Sequence, residues 1–552
     1  MPITELLERN AMLYGDEVCL VEVNPEFKTE KQFMWKGYDL VESPQSPHFR
    51  REITWRVFNE KANRFSNLLL QRGIKRGDKV AILLMNCLEW LPVYFGVLRS
   101  GAIAVPLNFR FAADEIDYGM RLAEADVLIF GDEFIERIEK IAGSTDKRWN
   151  YIYMGEGACP GFAEDYYVIS SFCSSEPPAG VKISDDDYAA IYFSSGTTGF
   201  PKAILHKHRS LMHACVCEQN HHGQTRDDVF LCIPPLYHTG AKMHWFGSLL
   251  AGSKAVLLKG AKPQYIIDAV AAERCTIVWL LVPWAIDILN AIENKEITLS
   301  DYGDALDQWR LMHIGAQPVP QSLVRNWLAL FPHHKYDTNY GLAESIGPGC
   351  VHLGVENTHK VGAIGVPGFG WEIKITDSDG APVSGGEVGE LCIRGPGVME
   401  CYFNDEKATS ESLRDGWLHS GDMAMRDEDG FIFLVDRKKD IVISGGENIY
   451  PVQIENFLSA HPAVSDVAVI GLPDKRLGEI PLAVIELKPG RDYNEDEMRK
   501  EINEYCQELP RYKRPKKIEF RKVPRNPTGK IEKPLLRKIY GAADFVSAQN
   551  LN

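Results

Sequence analysis

Apolar and polar positions in the N-terminal part of the chain follow two alternating patterns. Some segments have apolar residues at the spacing of an amphipathic helix, and others are short apolar runs of strand length. The predicted elements are a helix at 54–70, a strand at 79–85, a helix at 90–98, and strands at 101–107, 125–130 and 188–193. This alternation is typical of an α/β fold in which helices cover β-sheets. A polar insertion at 24–51 interrupts it, and the sequence predicts no definite structure there.

The pattern changes beyond Gly362. Short strand-like runs at 372–376, 389–394 and 430–435 are separated by Asp-Gly and Gly-Gly turns, which favours a small β-rich subdomain. From Pro451 onward helix and strand patterns alternate again, and the tail after Tyr540 is expected to be frayed. We predict a large N-terminal domain at 1–436, which includes the β-rich subdomain, and a small, mobile α+β domain at 437–552, with a hinge near 437–440.

Composition narrows the possible classes of protein. The chain has 552 residues, with 61 Lys and Arg against 76 Asp and Glu, a formal net charge of −15, and hydrophobic and charged fractions of 45% and 25%. These proportions are those of a globular protein and exclude a disordered, collagen-like or coiled-coil chain. Because the chain is acidic and has no basic block at its N-terminus, we expect no nucleic-acid partner, and local geometry must hold any anionic ligand.

The sequence shows no signal for export or membrane insertion. The N-terminal segment lacks a basic region that leads into an apolar stretch, and the most apolar window, 277–289, is interrupted by Pro283 and Asp287. The twelve cysteines include no C-x-x-C pair, which is typical of reduced thiols. We therefore expect a cytoplasmic protein without a transmembrane segment, and we make no prediction of its oligomeric state.

One group of potential metal ligands occurs outside the motifs discussed below. His213, Cys217 and His221 are spaced four residues apart, so they could share one face of a helix. A fourth ligand is not evident in the sequence. Packed or partly exposed side chains are therefore the favoured interpretation.

The clearest chemical pattern is the segment 192–202, YFSSGTTGFPK, in which an apolar strand leads into four hydroxyl residues, two glycines and a lysine. Glycines allow successive backbone N–H groups to point at one anion, hydroxyl groups add donors, and Lys202 supplies a positive charge. This combination suits a polyphosphate, although a surface turn is the alternative. The segment is not a P-loop, because Lys202 follows Phe-Pro and precedes no Ser or Thr.

Together with seven further motifs in the same order, this segment resembles the adenylate-forming superfamily of acyl-CoA synthetases, carrier-loading adenylation domains and luciferases. The motifs are 194–202, 235–240 (PLYHTG), 315–316 (GA), 339–344 (NYGLAE), 386–391 (GEVGEL), 416–422 (GWLHSGD), 436–440 (DRKKD) with 445–451 (GGENIYP), and 527–531 (PTGKI). The likeness covers nearly the whole chain. It implies that a carboxylic acid and ATP form an acyl-adenylate and pyrophosphate, after which the thiol of CoA displaces AMP.

The resemblance implies a set of residues that bind ATP or AMP. They are Ser194, Ser195, Gly196, Thr197, Thr198, Gly199 and Lys202 at the phosphates, Gly315, Ala316 and Tyr340 at the adenine with Asn339 beside them, Asp422 and Arg437 at the ribose, and Lys530. Glu344 and Thr198 are the implied ligands of Mg²⁺, a hard cation that prefers oxygen atoms.

Three residues are implied in the catalytic steps. Lys530 would bridge the substrate carboxylate and the α-phosphate, and Lys202 would neutralise phosphate charge during the in-line attack. His238 is similar to the aromatic or histidine gate of the acyl pocket, which moves between the two half-reactions.

Further residues are implied in the transfer to CoA. Lys439 lies where the family pivots its small domain, and Gly445 and Gly446 would line the tunnel for the pantetheine arm. The segment 511–525 has eight basic residues against one Glu. It could meet the phosphates of CoA, and a solvated charged surface is the equal alternative.

The sequence departs from the family pattern at four positions. Ala343 precedes Glu344 where the family usually has Thr, whose hydroxyl would donate to the α-phosphate in a bond worth about 1.5–3 kcal/mol. Ala203, Lys207 and Cys401 replace a usual Gly, Thr and Gly. None of these changes removes a charged catalytic group, so we interpret them as tuning.

The favoured function is an ATP-dependent acid–CoA ligase acting on a fatty or other apolar carboxylic acid. The alternative is a stand-alone ligase that loads an aromatic acid onto CoA or a carrier protein. Amino acids are disfavoured, because 235–246 offers His238, His244 and Trp245 but no carboxylate that would pair an ammonium. A hypothesis from another class is a nucleotide-binding regulator without catalysis, which the retained charged residues oppose.

The sequence does not identify the carboxylic acid substrate. Bulky apolar residues suggest an apolar pocket, and core packing explains them equally well. They are Met243, Trp245, Trp279 and Trp284.

Overall fold

The computed structural model describes residues 1–28, 48–144, 149–194, 201–315, 319–347, 349–445, 447–488, 494–525 and 531–540. The chain forms two compact units. The first unit comprises 1–196, 200–373 and 393–418, and the second comprises 197–199, 374–392 and 419–552. The second unit thus includes part of the segment in which the sequence predicts a β-rich subdomain. The domain bounds 1–436 and 437–552 and the hinge near 437–440 stay predictions.

The described helices alternate with strands. They are α1 (Thr4–Tyr14), α2 (Trp55–Gln71), α3 (Trp90–Arg99), α4 (Ala113–Leu122), α5 (Ile135–Ser144), α6 (Tyr166–Ser171), α7 (His208–His222), α8 (Thr239–Ala251), α9 (Pro263–Glu273), α10 (Val282–Glu293), α11 (Gln321–Leu330), α12 (Glu406–Ser412), α13 (Pro451–Ser459), α14 (Glu495–Tyr505) and α15 (Lys533–Tyr540). Thr54 caps α2 by accepting the N–H of Val57 at 3.3 Å. The predicted helices at 54–70 and 90–98 are confirmed by α2 and α3. No described helix is long and apolar enough to cross a bilayer.

The first unit contains an eight-stranded sheet whose central strands are parallel. In spatial order its strands are β20 (Cys401–Tyr402), β9 (Ala203–Lys207), β8 (Tyr188–Phe193), β4 (Ile103–Pro106), β3 (Lys79–Leu83), β5 (Val127–Gly131), β6 (Asn150–Met154) and β7 (Glu164–Asp165). The predicted strands at 79–85, 101–107, 125–130 and 188–193 are confirmed. Strand β9 pairs antiparallel with β8 and β20, so the predicted phosphate segment connects two neighbouring antiparallel strands.

A second, seven-stranded sheet belongs to the same unit. Its order is β14 (Lys335–Asp337), β13 (Leu311–Gly315), β12 (Ile277–Leu281), β10 (Val229–Cys232), β11 (Lys254–Leu258), β1 (Val18–Lys28) and β2 (His48–Thr54). One buried core combines Ile82 of the first sheet and Leu257 of the second with Phe58 of α2 and Phe95 of α3. The helices and sheets therefore share a hydrophobic core, as the α/β prediction requires.

The ends of the polar insertion at 24–51 are strand, in β1 and β2, which pair antiparallel. Arg51 of β2 is buried and donates to Glu22 at 2.8 Å and to Glu89 at 2.9 Å. Lys259 Nζ lies 3.3 Å from Glu22, so two carboxylates face two cations in this buried cluster. A polar sequence thus enters the protein interior because its charges are paired. Residues 29–47 lie outside the described range.

Three smaller sheets follow. The first has the order β15 (Asn339–Tyr340), β16 (Val351–His352), β17 (Val366–Pro367); the second β18 (Glu372–Thr376), β19 (Gly389–Arg394), β22 (Trp417–Arg426), β21 (Leu413–Arg414), with β23 (Ile432–Arg437) beside β22; the third β25 (Glu447–Ile449), β24 (Val442–Ser444), β27 (Gly478–Leu487), β26 (Val464–Asp474), with β28 (Lys517–Phe520) beside β27. The predicted strands at 372–376 and 389–394 are confirmed, and the one at 430–435 is shifted to β23. The segment after Tyr540 lies outside the described residues.

Candidate active site

The phosphate segment begins and ends at a backbone clamp. The N–H of Ser194 donates to the carbonyl of Lys202, and the N–H of Lys202 donates to Ser194 Oγ, both at 3.0 Å. These bonds extend the β8–β9 pairing by one step and fix where the loop between the strands opens. The residues expected at the phosphates inside the loop, Ser195, Gly196, Thr197, Thr198 and Gly199, lie outside the described residues.

Lys202 and Glu344 meet on one aromatic side chain. Lys202 Nζ lies 4.6 Å from the ring centroid of Tyr402, and the Tyr402 hydroxyl donates to Glu344 Oε1 at 2.8 Å. Burial and the Glu344 carboxylate raise the pKa of the Tyr402 hydroxyl, so it stays a protonated donor near neutral pH. No motif of the sequence pointed to Tyr402. The structure therefore brings the expected phosphate cation and the expected Mg²⁺ ligand to the two ends of one tyrosine.

The turn that carries Glu344 is held by β9. His206 of β9 is buried, and its Nε2–H donates to the carbonyl of Ala343 at 2.8 Å. Burial lowers the pKa of His206 to about 4, so the ring is neutral at physiological pH and adds no charge beside the carboxylate. The backbone N–H of Met399 also donates to the carbonyl of Glu344, at 2.7 Å. The turn is thus held through its backbone, and Ala343 contributes its carbonyl and no side-chain hydrogen bond.

Asp422 and Arg437, the residues expected at the ribose, lie together in the second unit. They are directly opposite each other on the antiparallel strands β22 and β23. Arg437 Nε lies 3.2 Å from Asp422 Oδ1, and the N–H of Asp422 donates to Ser420 Oγ at 3.1 Å. A carboxylate and a guanidinium held side by side can accept from and donate to a diol, which fits the expected role.

The residues expected at the adenine lie on strands of two different sheets in the first unit. Gly315 ends β13, and Asn339 and Tyr340 form β15. A Cβ atom at Gly315 would lie 3.6 Å from Asn339 Oδ1 and 3.3 Å from Trp279 Nε1, so a small residue keeps this space open. Tyr340 is buried. Ala316 lies outside the described residues.

His238 caps the helix α8. Its Nδ1 accepts the N–H of Gly240 at 3.1 Å, which leaves Nε2 to carry the proton of a neutral ring. A Cβ atom at Gly240 would lie 2.9 Å from Trp279 Cη2. The indole of Trp279 thus lies against Gly240 at one end and Gly315 at the other, between the expected gate and the expected adenine slot.

Trp245 and Trp284 lie away from the wall formed by this indole. Trp245 is buried in the core against Phe58 and Phe95, so it packs the fold. Trp284 of α10 is half-buried. His244 belongs to a buried group of histidines described below.

Two of the residues expected in CoA transfer are described. Lys439 belongs to the short helical turn Lys438–Asp440, and burial lowers its pKa. Gly445 has φ +62°, a left-handed conformation that favours glycine, and its N–H donates to the carbonyl of Leu477 at 2.7 Å. Gly446 and Lys530 lie outside the described residues. In the basic segment 511–525 the residues Arg511, Lys516, Arg521 and Lys522 are exposed.

The spacing of His213, Cys217 and His221 does not produce a joint site for the three. His213 packs edge-on against Trp371, with ring centroids 5.2 Å apart. Cys217 and His221 come close instead to His352, a residue distant in sequence. The favoured interpretation as packed side chains therefore holds for His213.

Comparison with known proteins identifies the class. Residues 38–403 match the family of AMP-binding enzymes, and residues 453–530 match the AMP-binding enzyme C-terminal domain. The long-chain-fatty-acid–CoA ligase FadD13 of Mycobacterium tuberculosis is 32% identical over 89% of this chain and 93% of its own length. Feruloyl-CoA synthase of Amycolatopsis sp is 34% identical over 90% of this chain and 95% of its own length. The chain belongs to the AMP-binding enzyme family.

Solved structures agree with this assignment. The anthranilate CoA ligase AuaEII in complex with anthranoyl-AMP superposes with a TM-score of 0.84 at 25% identity, over 98% of this chain and 97% of that chain. Within the family, this protein is an AMP-forming acid–CoA ligase that uses ATP, Mg²⁺ and CoA. The resemblance and the enzyme class inferred from the motifs are confirmed, and the hypothesis of a regulator without catalysis is not supported.

Proposed function

We propose that the motif residues act in this chain as the resemblance implies, with the segment 195–202 at the polyphosphate, Glu344 at Mg²⁺ and Lys530 at the two reacting anions. The contact of Lys202 and Glu344 with the same tyrosine carries the proposal. A lysine and a magnesium-binding carboxylate act on the same polyphosphate only if they lie close together, and Tyr402 holds them so. The carboxylate also has the hard oxygen donor that Mg²⁺ prefers.

The chemistry explains why these charges are needed. A free carboxylate is a poor acyl donor, and transfer to AMP gives it a good leaving group. The attack brings two anions together, so the site must neutralise phosphate charge and align the carboxylate oxygen with the α-phosphorus. Lys202 supplies fixed charge, Mg²⁺ supplies Lewis acidity when bound, and Lys530 steers the carboxylate. Asp422 and Arg437 hold the ribose, which fixes the position of the α-phosphate.

We further propose that the acid is compact, with an aromatic, alicyclic or short apolar body. The indole of Trp279 fills the space between Gly240 and Gly315, with 2.9 and 3.3 Å to the Cβ positions of these glycines. A flat or short acid fits beside such a wall, whereas a long alkyl chain needs a channel past it. Similarity to feruloyl-CoA synthase and to an anthranilate CoA ligase supports this choice. Similarity to a long-chain-fatty-acid–CoA ligase supports the alternative.

A CoA-release assay with ATP and a panel of acids tests the substrate class. We expect the highest kcat/KM for aromatic or short acids and a steep fall along a series of lengthening fatty acids. Trp279→Ala should shift the optimum towards longer acids. Trp284→Ala, in a half-buried tryptophan outside this wall, should leave the profile unchanged. A wild-type preference for long acids, unaltered in Trp279→Ala, would reject the compact-acid proposal and favour a fatty acid.

We also propose a cytoplasmic location. None of the twelve cysteines forms a disulfide, and most of them are buried. Burial raises the pKa of thiols such as Cys215 and Cys232, which keeps them protonated and unreactive. Reduced, buried thiols suit a reducing compartment. Cell fractionation with a marker enzyme tests this, and recovery in an extracytoplasmic fraction would reject it.

A further inference from the structure

Four side chains from separate elements of the first unit converge in the protein interior below the expected adenine slot. We name them the His3Asp cluster: His222 at the end of α7, His313 of β13, Asp337 of β14 and His352 of β16. All four are nearly inaccessible to solvent. We propose that the His3Asp cluster binds a divalent transition-metal ion of the zinc type, separate from the Mg²⁺ of the reaction.

His222, Asp337 and His352 place three ligand atoms within 4.8 Å of one another, and His313 adds a nitrogen beside His222 and Asp337. Asp337 Oδ2 lies 3.1 Å from His222 Nε2 and 3.2 Å from His352 Nδ1. His313 Nδ1 lies 3.1 Å from His222 Nε2 and 3.9 Å from Asp337 Oδ2. In a tetrahedral zinc site with bonds of about 2.0–2.1 Å, ligand atoms are about 3.3 Å apart. The observed separations lie around this value, and three nitrogens with one carboxylate oxygen are ligands that zinc accepts.

The surrounding contacts are those of a supported metal site. His222 Nδ1 lies 2.7 Å from Glu218 Oε1, and this carboxylate–histidine contact directs the opposite nitrogen, Nε2, into the cluster. The second oxygen of Asp337, Oδ1, accepts the N–H of Gly354 at 2.9 Å, which orients Oδ2. Glu218 Oε1 is also bonded to His244 Nδ1, at 2.6 Å. Partners of this kind hold metal ligands in place before the metal arrives.

The charges also favour a cation. Glu218 and Asp337 are buried, and no Lys or Arg of the described chain pairs with either carboxylate. At most one positive charge, on His222 between them, faces these two carboxylates, and a buried carboxylate left unbalanced is costly. One divalent ion would balance both of them while every imidazole stays neutral, as a metal ligand must be. The chemistry of the ligands and the charge balance therefore point to the same occupant.

The place of the cluster in the fold gives the ion a structural role. His313 lies two residues before Gly315, and Asp337 lies two residues before Asn339. An ion held by both would tie β13, which ends at Gly315, to β14, the strand that ends two residues before Asn339. Because four protein ligands fill a tetrahedral shell, no position remains for a reacting water. We expect an ion that stabilises the fold and takes no chemical part in the reaction.

Metal analysis tests the proposal on the full chain without an affinity tag. Protein from zinc-supplemented growth, dialysed against Mg²⁺ buffer, should retain close to one zinc per chain. Protein stripped of metal and given Co²⁺ should show the intense visible absorption of tetrahedral cobalt, and its Tm should rise. Asp337→Asn and His352→Gln should lose both signals. His334→Gln is the matched control, because His334 is a buried histidine outside the cluster, and this variant should keep both the zinc and the cobalt signal.

A graded variant tests the supporting shell. Glu218→Gln keeps the four ligands and removes the charge behind His222, so zinc affinity should fall by about 10- to 100-fold. Circular dichroism checks that each variant is folded. The cobalt spectrum of the wild-type chain tests the proposal even if the variants fail to fold. Wild-type protein without retained zinc and without the cobalt band would overturn the proposal. Zinc that persists unchanged in the Asp337→Asn, His352→Gln double variant would overturn it too.

Discussion

Removal of the Tyr402 hydroxyl tests how much the position of Glu344 contributes to the rate of adenylation. Tyr402→Phe removes the donor that lies 2.8 Å from Glu344 Oε1 and leaves the ring in place against Lys202. A hydrogen bond to a charged acceptor is worth about 1.5–3 kcal/mol. At 1.36 kcal/mol per factor of ten, we expect kcat/KM for Mg·ATP to fall by about 10- to 150-fold.

The assay is ATP–pyrophosphate exchange as a function of Mg²⁺, at a fixed saturating concentration of a substrate acid. If Glu344 binds Mg²⁺, the loss should be largest at low Mg²⁺ and smaller at high Mg²⁺. Tyr402→Leu also removes the cation–π contact with Lys202, worth about 0.5–2 kcal/mol, so it should cost a further factor of about 2–30. Tyr188→Phe, an exposed tyrosine of β8, is the matched control. Equal rates for Tyr402→Phe and wild type at every Mg²⁺ concentration would refute the reasoning.

Three further outcomes are expected. Lys530→Ala should slow pyrophosphate exchange by about 10²-fold or more while thiolysis of supplied acyl-adenylate continues, and equal loss of both steps would contradict its assigned role. Arg51→Met should lower the free energy of unfolding by about 3–5 kcal/mol, because it leaves two buried carboxylates with one cation. Arg56→Met is the control, since its ion pair is exposed, and an equal loss in both variants would contradict the prediction. Burial raises the pKa of Asp436 to about 6, above its unfolded value, so the stability that its protonated form contributes at low pH should be lost, by about 3 kcal/mol, as pH rises from 4 through 6. The Tm difference between wild type and Asp436→Asn should therefore change sign or size over this range, and a constant difference would disprove it.

The sequence predicted the elements with strong periodicity most accurately. The strand at 188–193 and the helix beginning near residue 54 were located to within a residue or two, because an apolar run or an N-cap defines them locally. The strands at the two ends of the insertion 24–51 were not predicted, because they carry charged side chains that are buried in the structure. A buried Arg51 is stable only with Glu22 and Glu89, and no local pattern shows that partnership.

The candidate site was predicted in part. Motif order predicts Asp422 and Arg437 at the ribose, and the structure places the two residues opposite each other on two strands; their role stays a prediction. Tyr402 follows Cys401, and no motif assigns it a role. His206 had no signal at all, because its role depends on a carbonyl far away in sequence. Side chains that position other groups act through tertiary contacts, which motif spacing does not encode.

Trp279 couples two glycines that lie far apart in the sequence. Since Gly240 and Gly315 lie at opposite ends of the same ring, an alanine at one position pushes the indole towards the other and takes up the space that an alanine there would need. Their effects on acid preference should therefore be strongly coupled in a double-mutant cycle. Altered selectivity would then evolve by replacing the tryptophan first, since this relieves the tightest contact at each glycine, 2.9 Å at Gly240 and 3.3 Å at Gly315.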